Sequence, residues 1–226
     1  MERIFCFTDM KSIYNRCIMA AVSHGIMVGE YDMLSAEHSW DGLNYLFQDM
    51  AGTMGVISFS DDRFVCLIRN DEKYIAGGQD ITDKLLKGAD EEIRTLAGNE
   101  AMQYLLTDEA ETVQPSASAA FYGRGGLIWS EQSEKELIGI SNDIILPYIY
   151  DESDAAAYWR SYYEMNDEQA ELMRYIYHRR LSAEGNILLD SPIKRKLFLW
   201  FGDNAEECLN SFEEIGVFFA EEDRKV

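Results

Sequence analysis

The feature that most constrains the fold is a strand–helix–strand pattern that occurs at both ends of the chain. Near the N-terminus, apolar residues 4–7 predict a short strand, and Thr8 or Asp9 follows as a candidate helix cap. Apolar side chains then recur at helical spacing, and residues 26–28 predict a second strand after Gly25. The sequence therefore predicts a compact β-α-β unit at this end.

The C-terminal end repeats this plan without visible sequence identity to the first unit. Residues 197–201 form an apolar run that predicts a central strand. A helix with Cys208 and Phe212 on one face follows and ends at Gly216, and residues 217–219 predict the returning strand. Two β-α-β-like units, one at each end, predict an α/β or α+β fold in which helices pack on a mixed sheet.

The middle of the chain adds further elements. Residues 41–50 predict a short helix because their apolar side chains share one helical face. Residues 56–59 and 64–68 predict a β-hairpin that turns at the polar segment 60–63.

A segment rich in small residues, 112–126, is the candidate domain boundary. It contains several serines and alanines and ends in a glycine-rich sequence around Arg124, a composition that is typical of loops. We therefore predict an α/β lobe over residues 1–111 and a second α/β lobe over residues 127–226, joined by a loop at 112–126. A single domain over 1–226 is the alternative, because such segments also occur as surface loops within one domain.

Charge excludes two classes of partner. The 226 residues contain 41 Asp and Glu against 20 Lys and Arg, a net charge of −21. This charge repels phosphate backbones and anionic lipid surfaces, so we expect neither nucleic acid nor membrane as a partner. No apolar run approaches the roughly 18 residues that span a bilayer, and the N-terminal apolar stretch is too short for a signal peptide. We expect a cytoplasmic protein.

The cysteines and carboxylates do not form a metal-binding pattern. Cys6, Cys17, Cys66 and Cys208 are widely spaced and predict neither a disulfide framework nor a zinc site. The acidic runs lack the glycine and distal glutamate of a calcium loop. We predict no metal and no cofactor.

The excess negative charge is concentrated in the middle of the chain. Residues 90–171 contain 18 acidic and 4 basic residues, a net charge of −14. An acidic surface attracts and orients a basic protein, so we predict a basic protein partner, with an inhibitor or immunity-type protein against a nucleic-acid-processing toxin as the concrete version. Charges spread over all faces for solubility are the alternative. The candidate partner-binding residues are Asp90, Glu91, Glu92, Asp108, Glu109, Glu111, Glu131, Glu134 and Glu136.

The polar segment around His38 is the alternative site. Glu37 precedes the imidazole and can orient it as a general base, Trp40 lies nearby, and Arg124 offers a cation in a glycine-rich segment. The alternative function is a small-molecule-binding domain or enzyme, which requires a pocket of roughly 300 Å³ or more. Without a recognisable nucleophile motif, binding is favoured over catalysis and no catalytic residue is assigned. The oligomeric state is left open.

Overall fold

The computed structural model describes residues 2–73, 75–109 and 112–221. The chain forms two compact units, each built from two separate stretches of sequence. Unit 1 comprises Met1–Tyr14 and Trp40–Asp151, and unit 2 comprises Asn15–Ser39 and Glu152–Val226. Helices and a mixed, largely antiparallel sheet together form an α+β fold, which confirms the predicted class. None of the described helices is long and apolar enough to cross a membrane.

Unit 1 is built mainly of strands. Its strands within the described ranges are β1 (Glu2–Arg3), β2 (His38–Asp41, of which the last two residues belong to unit 1), β3 (Asn44–Gln48), β4 (Thr53–Phe59), β5 (Arg63–Asn70), β6 (Ala76–Gly77), β7 (Leu106–Glu109), β8 (Thr112–Ala117), β9 (Ala119–Arg124) and β10 (Leu127–Ser130). Seven of them form one sheet in the order β1-β10-β9-β5-β4-β3-β2, and β6-β8-β7 form a smaller sheet. The predicted hairpin is confirmed, because β4 pairs antiparallel with β5.

The helices of unit 1 are short. They are the first turns of α1 (Met10–Met27, which continues into unit 2), α2 (Glu91–Asn99), α3 (Glu134–Ile140) and α4 (Leu146–Ile149), with a π-helical turn at Ile81–Leu85. One face of the large sheet packs against α2 and this turn through a buried cluster that includes Val65, Ile81, Ile93 and Tyr122. On the other face, Phe64 contacts Phe121. Both faces of β5 are therefore buried.

Unit 2 is mainly helical. Besides the larger part of α1, it contains α5 (Glu152–Tyr162), α6 (Asp167–Leu181), α7 (Ser191–Phe201) and α8 (Ala205–Glu214), with the strands β11 (Ile187–Leu189) and β12 (Val217–Phe219). The two strands pair in parallel, with Leu188 opposite Phe218. The connection between them contains two helices, where the sequence predicts one strand and one helix.

The predicted strand at 197–201 is wrong, because this segment forms the end of α7. Pro192 lies in the first turn of that helix, where its missing N–H has no helical partner to lose. Only Leu197 of the apolar run is buried, whereas Leu199 is exposed. An apolar run of five residues here goes round the whole last turn of a helix, so that part of the run is buried and part faces water.

The predicted strand at 26–28 is also wrong. Helix α1 continues through Gly25 to Met27, and the backbone N–H of Val28 still donates to the His24 carbonyl. A Cβ on Gly25 would meet the Phe212 ring at 3.2 Å. Gly25 therefore allows close packing of the helix and does not end it.

The segment predicted as a helix at 41–50 contains β3. Tyr45 and Phe47 are buried at a spacing of two, which is the period of a strand. Gly42 adopts a φ of +60° in the turn before β3, a conformation that favours glycine.

The segment predicted as a loop at 112–126 contains strands β8 and β9. Its small residues are required by packing, because Ala119 and Ala120 are buried in the large sheet. A Cβ on Gly123 would lie 2.3 Å from the Phe64 ring. The division into lobes 1–111 and 127–226, like the single-domain alternative, stays a prediction.

Candidate functional site

A cleft of about 490 Å³ opens at one end of the large sheet in unit 1. It lies between the first turns of α1, the turn from β2 to β3 and the turn from β4 to β5. Antiparallel pairing of β3 with β4 brings the two turns together, and the Phe59 N–H donates to the Leu43 carbonyl at 3.0 Å. The lining residues are Met10, Lys11, Tyr14, Leu43, Phe59, Ser60 and Asp61.

The wall of the cleft is largely aromatic. The ring of Tyr14 packs edge-on against Phe59, with centroids 5.3 Å apart, and against Trp40, at 5.6 Å. Trp40 also stacks on Phe59 at 6.0 Å. Because the three rings support one another, the wall is preformed and presents apolar surface. Trp40, a residue of the predicted alternative site, thus contributes to this cleft by packing behind its lining.

Leu43 is the exposed apolar residue of the lining. The side chain is 56% exposed at the tip of the turn from β2 to β3. An apolar side chain here contributes little to the core of unit 1, because most of its surface faces water. It is in a position to cover an apolar group that enters the cleft.

Two charged side chains of opposite sign line the cleft. Lys11 lies in the first turn of α1 and Asp61 in the turn from β4 to β5, and both are exposed. Among the described residues, neither forms a salt bridge. The nearby carboxylate of Asp9 is already used, since it accepts a hydrogen bond from the Ser12 N–H at 2.7 Å. Hydrogen bonds from Ser12 and the charge of Lys11 hold the pKa of Asp9 below its usual value.

Arg124 lies in an ion-pair network of unit 1. Its guanidinium is 3.1 Å from the Asp62 carboxylate, 3.6 Å from Asp90 and 3.9 Å from Glu92. Arg63 adds pairs to Asp62, at 2.6 Å, and to Glu92. Two arginines therefore neutralise part of the predicted acidic surface, and the cation of Arg124 already has anionic partners.

Glu37 and His38, the other predicted residues, lie in unit 2 and are buried. The carboxylate of Glu37 accepts hydrogen bonds from the hydroxyls of Tyr162 and Tyr163, the latter at 2.8 Å. His38 Nε2 lies 3.8 Å from the same carboxylate. Tyr162 is the last residue of α5 and Tyr163 follows it directly, so that the end of this helix places both donors beside Glu37.

A second histidine belongs to this cluster. The ring of His24 contacts that of His38 at 5.3 Å, and its Nδ1 lies 3.2 Å from the Tyr163 hydroxyl. Burial, only partly offset by a backbone hydrogen bond with Ser35, lowers the pKa of His24 to about 4. Burial and the neighbouring His24 lower the pKa of His38 well below its usual value. Both rings are therefore neutral at pH 7.

Hydrogen bonds inside unit 2 satisfy the carboxylate of this cluster. A buried carboxylate is stable only where hydrogen bonds replace water, and two phenols supply them. Neutral imidazoles beside it can move a proton, but the imidazole of His38 and the carboxylate are both buried. A role of His38 as a general base stays a prediction.

Three of the predicted partner-binding carboxylates lie at the start of α2 and are exposed. Asp90 caps this helix by accepting from the Ile93 N–H at 2.8 Å. Glu92 pairs with Arg63. Glu91 lies in the first turn, where a carboxylate favours the helix dipole.

Three more lie around α3. Glu131 accepts a hydrogen bond from the Gly88 N–H at 2.9 Å, and Glu134 accepts one from the Phe5 N–H at 2.5 Å. Glu136 forms a capping box with Ser133 at the start of the helix. These carboxylates have structural roles in unit 1.

The three other predicted partner-binding carboxylates have side chains that the structure does not describe. Asp108 and Glu109 lie in β7 with side chains that are not described, and Glu111 lies outside the described residues. The acidic-partner interpretation stays a prediction.

No metal site is found in the part of the chain that the structure describes. No group of three or more His, Cys, Asp or Glu residues there is arranged to hold a metal ion. Cys17, Cys66 and Cys208 are buried, and burial raises the pKa of the Cys66 thiol well above its usual value. Such a thiol is a poor nucleophile.

Most of the cleft lining was missed by sequence reasoning. Lys11 and Tyr14 share the first turns of α1, whereas Leu43 and Asp61 lie far from them along the chain, and the four residues match no motif. The one usable signal was the polar turn at 60–63 between two apolar strands, because a hairpin places its turn at a sheet end. The second turn, at Gly42, was missed because residues 41–50 were predicted as a helix and not as a strand.

Comparisons with protein-family models, with curated proteins and with solved structures find no match to this chain.

Proposed function

We propose that the protein binds a small molecule with an apolar body in the cleft of unit 1. The observation that carries this proposal is the cleft of about 490 Å³, in which Met10, Tyr14, Leu43 and Phe59 supply apolar surface. Ligand sites are typically concave, mostly apolar and about 300–1,000 Å³ in volume, with a few polar groups that fix orientation. Lys11, Ser60 and Asp61 are such groups.

The aromatic wall favours ligands of a particular shape. Phe59 is buried, and Trp40 and Tyr14 hold each other through ring contacts. A wall that is ordered before binding loses little conformational entropy when a ligand arrives. The cleft therefore favours a flat or compact apolar group over a long flexible chain.

A matched pair of exposed residues tests the proposal. Leu43 and Met50 flank strand β3, and both are exposed, but Leu43 lines the cleft and Met50 does not. We expect Leu43→Asp to weaken binding at least tenfold, about 1.4 kcal/mol, because it places a charge against the apolar group. We expect Met50→Asp to leave binding unchanged.

The measurement is ligand-observed NMR with a library of small amphipathic fragments, followed by titration of the hits against wild type and both variants. Circular dichroism and unfolding midpoints show whether the variants are folded. Hits that bind Leu43→Asp as tightly as wild type, or a library without hits, would overturn the proposal.

A further inference from the structure

The two charged residues that line the cleft, Lys11 and Asp61, are available to pair with a ligand. Asp61 and Asp62 are neighbours in the turn from β4 to β5, but only Asp62 is paired, with Arg63 at 2.6 Å and with Arg124 at 3.1 Å. Asp61 is exposed, lines the cleft and forms no salt bridge to any described residue. Of the two carboxylates in this turn, Asp62 pairs with arginines of unit 1 and Asp61 faces the cleft.

Lys11 is available in the same sense. The N-terminus of α1 is already capped by the Asp9 carboxylate, which accepts from the Ser12 N–H. The ammonium of Lys11 has no salt bridge within the described part of the chain. Since Lys11 lies on α1 and Asp61 on a sheet turn, the cleft presents a cation and an anion from different elements beside one apolar surface.

We propose, on the basis of the proposed function, that the ligand is a small zwitterion with an apolar side chain, such as an apolar α-amino acid. Its carboxylate pairs with Lys11, its ammonium pairs with Asp61, and its side chain packs on the aromatic wall. A ligand with a single charge meets one unlike and one like charge in this cleft, so the two electrostatic effects oppose each other. A zwitterion places an unlike charge at both positions.

The expected size of each electrostatic effect is modest, because both residues are exposed. A pair between exposed charges changes an affinity by about two- to fivefold. Removing the charge at Lys11 or at Asp61 is therefore expected to lower the affinity for a zwitterion by about two- to fivefold. Most of the affinity comes from the apolar contacts and is retained. The effect decreases as salt concentration rises.

The test compares three ligands that share one side chain. The apolar α-amino acids are titrated by NMR at low salt, each beside the amine that lacks its carboxylate and the acid that lacks its ammonium. We expect at least one amino acid to bind more tightly than both analogues. Lys11→Ala is expected to abolish the preference over the amine, and Asp61→Asn the preference over the acid. The control Glu72→Gln changes an exposed charge of unit 1 outside the cleft lining and is expected to change neither preference.

The outcomes separate this inference from the proposed function. If the acids or the amines bind as tightly as the amino acids, or if only other fragments bind at Leu43, the zwitterion is excluded and the cleft remains a ligand site. If neither amino acids nor fragments bind, both proposals fail. Preferences that persist in Lys11→Ala and Asp61→Asn would also overturn the inference, because they would place the charge recognition elsewhere.

Discussion

The hydroxyl of Tyr163 donates a hydrogen bond to the carboxylate of Glu37 at 2.8 Å, and both side chains are buried in unit 2. The same hydroxyl lies 3.2 Å from Nδ1 of His24. One phenol oxygen therefore connects a buried carboxylate to a buried imidazole. Because buried polar groups are costly when they lose a partner, this oxygen is important for the stability of unit 2.

We expect Tyr163→Phe to lower the free energy of unfolding by about 1–3 kcal/mol, because it removes the hydrogen bond to Glu37 and keeps the ring. Urea denaturation of wild type and variant measures the difference. Tyr175→Phe is the control, because Tyr175 is exposed and its hydroxyl accepts a surface hydrogen bond from Arg179. A Tyr163→Phe variant as stable as wild type would show that the hydrogen bond contributes no net stability.

The buried histidines predict loss of stability in mild acid. The pKa of His24 is about 4 in the folded chain, against 6.5 for an exposed histidine. As pH falls below 6.5, the unfolded chain binds a proton that the folded chain does not, so the free energy of unfolding decreases until the pH reaches about 4. His38, with its pKa lowered in the same direction, adds to the loss.

Denaturant unfolding at pH 7 and at pH 4.5 measures this effect. We expect His24 alone to account for a loss of about 2 kcal/mol over this interval. NMR titration of the imidazole signals provides an independent check, because neither buried ring should titrate near pH 6.5. Two rings that titrate there, with constant stability from pH 7 to 4.5, would contradict the burial of His24 and His38.

Local signals in the sequence predicted those elements that are fixed by local chemistry. Asp9 at the start of α1 and the polar turn between β4 and β5 were both recognised, because capping and turn formation depend on a few adjacent residues. The run at 197–201 was misread, because a short apolar run is compatible with a buried strand and with a segment of a helix. Only the exposure of Leu199 distinguishes them.

The candidate sites were harder to predict for a related reason. Glu37 and His38 were identified as a pair because they are adjacent in sequence, but Tyr163 and His24 reach them only through the fold of unit 2. The composition of 112–126 was misread because small residues serve both flexible loops and tightly packed strands. The two cases differ in what surrounds the small residue, and here the Phe64 ring leaves no room beside Gly123.

The capping box of α3 predicts a specific effect for one of the acidic residues. The Glu136 N–H donates to the Ser133 hydroxyl oxygen at 3.3 Å, and the Ser133 N–H donates to the Glu136 carboxylate at 2.8 Å. We expect Ser133→Ala to lower the free energy of unfolding by about 1 kcal/mol. Glu136→Gln should cause a smaller loss, because glutamine also serves at this position. Thermal denaturation of both variants checks the order, and a larger loss for Glu136→Gln would contradict the capping role.

Alanine substitutions at two glycines, Gly55 and Gly98, are expected to change the free energy of unfolding in opposite directions. Gly55 of β4 lies opposite Phe47 of β3, and a Cβ on Gly55 would lie 2.3 Å from the Phe47 ring, which is buried. Gly98 lies in α2, and a Cβ there would have no atom within 4 Å. We expect Gly55→Ala to lower the free energy of unfolding by about 1–3 kcal/mol through overpacking. We expect Gly98→Ala to raise it by about 0.5–1 kcal/mol, because alanine loses less backbone entropy in a helix.

Urea denaturation of the two variants measures both effects under one condition. The double variant Gly55→Ala with Phe47→Leu separates overpacking from other causes, because a smaller side chain at position 47 makes room for the methyl group. We expect the cost of Gly55→Ala to be smaller in the Phe47→Leu background than in wild type, and this difference is the coupling between the two positions. An equal cost in both backgrounds would show that the Phe47 ring does not limit the space beside Gly55.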